Sequence, residues 1–172
     1  LERLSSLEVS KKTHRQSLAN FIGPLFTLAK ARSTPHTAAL ENEAVIMALA
    51  IYAGDYRFAN FIGEVQPVEG KLVLPAAIPM LKRRVDLNQH FIFSAAIKLL
   101  SEQGLSIAIG EFKELMDRSR DGSGYSFVDL AADIAGVEFA RVATDPSSAF
   151  QVQAMLAGNT SESLFFPSIE GL

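Results

Sequence analysis

Apolar residues recur at three- and four-residue spacing along most of the chain, the period of a helix with one face turned inward. Between positions 17 and 31 the series Leu18, Phe21, Ile22, Leu25, Phe26, Leu28 and Ala29 predicts an amphipathic helix, entered or kinked at Gly23-Pro24. Ser33-Thr34-Pro35 reads as the turn that follows. Over 37–53, Ala, Leu, Ile and Met occupy most faces and Gly54 comes next, which predicts a largely buried helix. A short helix is expected at 56–62. Further helices are expected over 87–102, 105–118, 127–142 and 146–157, separated by Gly104, a turn at 121–124 and Asp145-Pro146. Residues 64–75 differ, because Val65, Val68, Leu72, Val73 and Leu74 surround Pro67 and Glu69-Gly70 in the manner of a small hairpin or extended loop. Leu164-Phe165-Phe166-Pro167 is apolar without a period and is expected to dock on the body or lead into further sequence. The fold class that follows is mainly α: a compact multi-helix bundle with a small β-hairpin near 64–75, its short connections favouring antiparallel neighbours.

Composition narrows this picture. The 172 residues, 48% hydrophobic and 20% charged, suit one helical domain over 1–172 with a core that needs no disulfide. The absence of cysteine removes thiolate nucleophiles and thiolate zinc sites but leaves the compartment open. Sixteen basic against nineteen acidic side chains, a net charge of -3, argue against a nucleic-acid partner held by counterion release. The longest apolar runs, 44–53 and 91–100, fall short of the roughly 20 residues a spanning helix needs. Lys82-Arg83-Arg84 offers a phosphate or anionic-lipid contact, yet three basic residues make a short cluster, and a solvated helix face is the expectation. The chain opens on Leu1 with a polar segment that lacks the apolar centre of a signal peptide, and it reads as a piece of a longer chain.

Candidate chemistry concentrates in 86–136. Asp86 and His90 stand four apart, Glu114 and Asp117 three apart, Asp129 and Asp133 four apart, the spacings that bring side chains together on a helix. They sit among apolar neighbours, and a buried carboxylate has to be paired, hydrogen-bonded, protonated or bound to metal. Two readings stand for each. Asp129 fits a capping box with Ser126 as well as a ligand position, and Asp86 fits a first-turn carboxylate at a helix N-terminus. Glu114 can pair with Arg118, and His90 can be a core histidine bonded to Asp86 or to a carbonyl. Asp117 opposes the helix dipole, and Asp133, amid alanines, is the acid least explained locally. A metal set of His90, Glu114, Asp117, Asp129 and Asp133 suits magnesium, manganese or iron better than zinc. Hydrolysis there would use His90, Glu114 or Asp133 toward a bound water. The alternative is a non-catalytic module whose polar residues fix helix packing. Ser94 and Lys98, four apart, could form a serine–lysine pair, but a lysine snorkelling from an amphipathic helix is the simpler reading.

The order Asp86-Leu87-Asn88-Gln89-His90-Phe91, then Lys113-Glu114-Leu115-Met116-Asp117, then Gly122-Ser123-Gly124 and Asp129-Leu130-Ala131-Ala132-Asp133-Ile134-Ala135-Gly136 resembles the YfiM-type bacterial lipoproteins and, more distantly, VanZ-like proteins. The resemblance covers about 50 residues, under a third of the chain, and the joint order is more specific than any one piece. It implies a bacterial envelope protein with an envelope protein partner, and it brings no established activity. By matching position, the family's polar pattern falls on Asp86, His90, Lys113, Glu114, Asp117, Asp129 and Asp133, with Gly110 and Gly136 at tight helix contacts. Two departures weigh on localisation and leave the cytoplasm open. VanZ-like proteins are membrane-embedded whereas no spanning segment is visible here, and the first 85 residues match neither pattern and contain no lipoprotein cysteine.

Overall fold

The computed structural model describes residues 15–55, 58–59, 77–102, 126–158 and 160–171. Its elements follow the order β1 (Arg15–Ser17), α1 (Ala19–Arg32), α2 (Ala38–Leu49), a π turn (Ala50–Gly54), β2 (Ile78–Met80), α3 (Val85–Glu102), α4 (Phe127–Thr144), α5 (Ala149–Leu156) and a 3-10 turn (Glu162–Leu164). Helices dominate, so the fold is mainly α. The helices expected over 56–62 and 105–118 and the hairpin expected over 64–75 lie wholly or largely outside the described residues.

The helix boundaries have local causes. α1 runs through Pro24 rather than starting there, and Thr27 turns its hydroxyl back onto the Gly23 carbonyl at 2.8 Å. Gly23 is required, because a Cβ there would collide with the Gly158 carbonyl where the chain leaves α5. α2 ends by widening into the π turn, closed by the Asp55 N–H on the Ala50 carbonyl at 2.8 Å. Gly54 makes room there for the Phe93 ring of α3. Asp145 arrests α4 by accepting from the Ser147 N–H at 2.7 Å, so α5 begins at Ala149, later than periodicity alone predicts.

Two short strands were not anticipated. β1 pairs with β2 in parallel, Arg15 opposite Ile78 and Ser17 opposite Met80. Each strand of such a pair has an open edge, which is where Pro79, lacking an N–H donor, is tolerated. The basic cluster departs from expectation. Lys82-Arg83-Arg84 is not a helix face: Lys82 (φ 50°) and Arg83 (φ 63°) are left-handed and form the tip of a two-residue turn. Leu81 and Arg84 close it with backbone bonds of 3.0 and 2.9 Å.

The core collects around Phe91 of α3. Its ring centroid lies 5.3 Å from Phe139 of α4 and 5.5 Å from Phe165, with Phe166 at 6.1 Å, so the C-terminal apolar segment docks on the body. Glu162 fastens that segment at a second point, accepting from the Ser17 hydroxyl at 2.6 Å and the Lys82 N–H at 3.0 Å. Three buried amides tie helix ends. Asn42 donates to the carbonyls of Ala143 and Ala149, Asn88 to that of Ala53, and Gln153 to the Ser33 hydroxyl. Among the described residues no helix is long and apolar enough to cross a membrane.

Candidate functional site

The predicted polar residues that are described meet along the seam between α3 and α4, the most extensive helix contact among the described residues. Partners rise together in number along both helices, Arg84 with Asp129, His90 with Asp133 and Phe91 with Gly136, so α3 and α4 run in the same direction. At the lower end Ser126 starts α4 with a capping box. Its hydroxyl accepts from the Asp129 N–H at 3.2 Å while the Asp129 carboxylate accepts from the Ser126 N–H at 3.3 Å. The second Asp129 oxygen accepts from Arg84 at 3.2 Å. Of the two readings open for Asp129, the cap is the one observed.

Arg84 also grips Asp86, its Nε 3.1 Å from Oδ1 and a guanidinium nitrogen on Oδ2. This charge-assisted pairing holds the Asp86 carboxyl below the usual carboxylate range against the opposing effect of partial burial, and raises the Arg84 guanidinium in return. Asp86 is thus the first-turn carboxylate of α3 and belongs to Arg84 rather than to His90.

One turn further on, Asp133 Oδ1 lies 3.0 Å from His90 Nδ1 and accepts from the Ser94 hydroxyl at 2.8 Å. The His90 side chain is 11% exposed and that of Asp133 24%, so this carboxylate is reachable from solvent while the imidazole is mostly covered. With Nδ1 turned to a carboxylate, a neutral imidazole carries its proton there and presents Nε2 as its acceptor. Tight packing frames the cluster: a Cβ on Gly136 would fall against the Phe91 backbone, well inside van der Waals distance of its carbonyl oxygen.

The i,i+4 pairs expected for Asp86 with His90 and for Asp129 with Asp133 are therefore replaced, some by nearer partners and some by partners across the seam. Asp86 goes to Arg84, His90 to Asp133, and Asp129 to its own cap and Arg84. Ser94 bonds to Asp133 and Lys98 to Glu102, so no serine–lysine pair forms. Glu114 and Asp117, like Gly110 and Lys113, lie outside the described residues. Among the described residues no group of three or more histidine and acidic side chains gathers as a metal-holding set.

A second feature was not anticipated. Between α4, α5 and the C-terminal segment lies a groove of about 580 Å³, walled by Phe139, Val152, Phe165 and Phe166 and edged by Ile134, Met155 and Leu164. Its signal in the sequence is apolar residues on positions the fold leaves uncovered, Ile134 on α4 and Met155 on α5. Comparison with family models, with curated proteins and with solved structures found no match for this chain.

Proposed function

We propose that the protein is a non-catalytic interaction module in which His90, Ser94 and Asp133 lock α3 onto α4. The observation that carries this reading is the direction of the hydrogen bonds. In a serine–histidine–aspartate arrangement the hydroxyl is hydrogen-bonded to the imidazole that takes its proton, whereas Ser94 donates to the Asp133 carboxylate and bypasses His90, which addresses the same oxygen. Hydroxyl and imidazole both serve the carboxylate, the pattern of a packing clamp. Glycine at 136 supports this, since it lets the two backbones approach where the clamp closes.

A second reading, metal-assisted hydrolysis, is favoured by one specific observation: Nδ1 on a carboxylate is the outer arrangement that orients a metal-ligating histidine. In that reading His90 is a ligand, Asp133 orients it or ligates, and Glu114 and Asp117 are the further carboxylates. A bound magnesium, manganese, iron or zinc would lower the pKa of a water. Both readings keep the envelope setting and envelope protein partner that the resemblance implies, which cell fractionation and cross-linking test.

Metal analysis of the purified protein, with thermal unfolding of wild type and Asp133→Asn in the presence and absence of magnesium, manganese, iron and zinc, separates the two. The clamp predicts no stoichiometric ion and no ion-dependent shift. It also predicts a loss in the variant of about 1–3 kcal/mol for the disrupted, partly buried bonds, roughly 3–10 °C for a chain of this size. An ion retained by wild type and lost in His90→Ala would replace the clamp with the metal site.

A further inference from the structure

The outer side of α4 carries a row of uncovered apolar side chains. Phe127, Leu130, Ile134 and Val137 follow one another at three- and four-residue spacing and are 81%, 37%, 60% and 38% exposed, while Asp129, Ala132, Gly136 and Phe139 on the other side of the helix are buried. Four side chains fall far short of the roughly 20–30 residues that each partner contributes to a stable complex between chains. A segment of the same chain, tethered to α4 by a short connection, escapes the entropy lost when two molecules associate. A row of this size therefore suits a cover from within the chain.

We infer that residues 105–118 seat on this row antiparallel to α4, with Ile109 opposite Val137, Phe112 opposite Ile134 and Met116 opposite Leu130. The path of the chain supports the direction. α3 and α4 run the same way with Phe91 beside Gly136, so Glu102 at the end of α3 stands about 30 Å above Phe127 at the start of α4, counted along the helices at roughly 1.5 Å per residue. The 23 residues between Glu102 and Ser126, which lie outside the described residues, have to return over that height. A helix over 105–118, as the periodicity predicts, returns about 21 Å of it. Positions 119–125 are then left for the turn into α4, inside the range of roughly 2–8 residues usual between antiparallel helices. The apolar spacing supports the register. Ile109, Phe112 and Met116 are separated by three and then four residues, and Val137, Ile134 and Leu130, met in the reverse direction, by the same three and four. The connection thus carries a face that mirrors the bare one, and Phe127 falls at the turn. None of this depends on what His90 and Asp133 do.

The chain has no cysteine, so a disulfide between two introduced cysteines reports the seat directly. In the full chain, Phe112→Cys with Ile134→Cys, and Ile109→Cys with Val137→Cys, should each close an intramolecular disulfide under mild oxidation, followed as loss of free thiols. Closure should be at least tenfold faster than for Glu114→Cys with Ile134→Cys, because position 114 falls on the far face of the expected helix. Ile134→Lys, which puts a charge into the row at a largely exposed position, should speed hydrogen exchange over 109–116 at least tenfold while the amides of 91–96 in α3 keep their protection. If the cysteine pairs fail to fold, exchange in wild type and Ile134→Lys decides. Closure no faster than in the control pair overturns the proposal, as does exchange over 109–116 that is as fast in wild type as in an unfolded chain or unchanged by Ile134→Lys. A disulfide that joins two chains instead also overturns it and makes a second copy of the chain the occupant.

Discussion

Lys82 and Arg83 hold left-handed backbone with full side chains, a conformation that crowds the Cβ and that glycine adopts freely. The cost is met by the bonds that close the turn and by Glu162 on the Lys82 N–H. Arg83→Gly should therefore raise stability by up to about 1 kcal/mol, less what glycine loses in the unfolded chain, and the melting temperature by a few degrees. An unchanged or lowered melting temperature would show that the side chain contributes contacts beyond its backbone. Asp86 gives a pH signature. Its folded pKa is lowered by Arg84 relative to the unfolded chain, so its contribution is complete above the unfolded value and disappears as pH falls through the folded one. From about pH 4 downward the wild type should lose stability more steeply than Arg84→Ala, as acid unfolding monitored by circular dichroism would record. At this scale the sequence was partly legible. Asp133 stood out as an acid without a local reason, and the Ser126–Asp129 cap was visible in four letters. The partners of Asp86 and His90 were not, since i,i+4 spacing describes only one helix and the stronger pairings came from Arg84 nearby and from α4 across the seam.

Helix α4 owes its closeness to α3 to one missing methyl group. Gly136→Ala would drive a Cβ into the Phe91 backbone, which is fixed by helical bonding and cannot turn aside as a side chain would. A loss of about 1–3 kcal/mol is expected from such overpacking, read as a lower urea midpoint with an unchanged slope. Because the helices would separate, the His90–Asp133 contact should loosen as well, visible as a shift of the His90 imidazole resonances. The helices themselves were legible because their inward faces repeat every three to four residues, and α1, α2, α3 and α4 lie near their predicted positions. β1 was not, since Arg15-Gln16-Ser17 has no apolar alternation and becomes a strand only through register with 78–80. The turn at 82–83 was hidden for a related reason: it contains neither glycine nor asparagine, the residues by which left-handed turns announce themselves.

The molecule as a whole is closed by its last described segment. Residues 160–171 contribute Phe165 and Phe166 to the aromatic core, one wall to the groove, and through Glu162 the tie to β1 and the basic turn. A chain ending at 158 should lose about 3–6 kcal/mol from the two phenylalanines alone, a large part of the 5–15 kcal/mol typical of a domain. Calorimetry and dye binding to exposed apolar surface would register the loss, and a truncated chain that melts with wild type would show the segment to be an ornament. That Leu164-Phe165-Phe166-Pro167 would dock was legible from its apolarity. Where it docks was not, because its ring contacts are with Phe91 and Phe139 on other helices, distant in sequence. This placement also sets the order of events during synthesis. Ser17 and Phe91 are synthesised well before Glu162, Phe165 and Phe166, so a nascent chain carries β1 without its tie and Phe91 without those two rings until residues 162–166 have been made. Folding of this protein is completed only after translation has passed Phe166, and before then its exposed aromatic surface is the form a chaperone would hold.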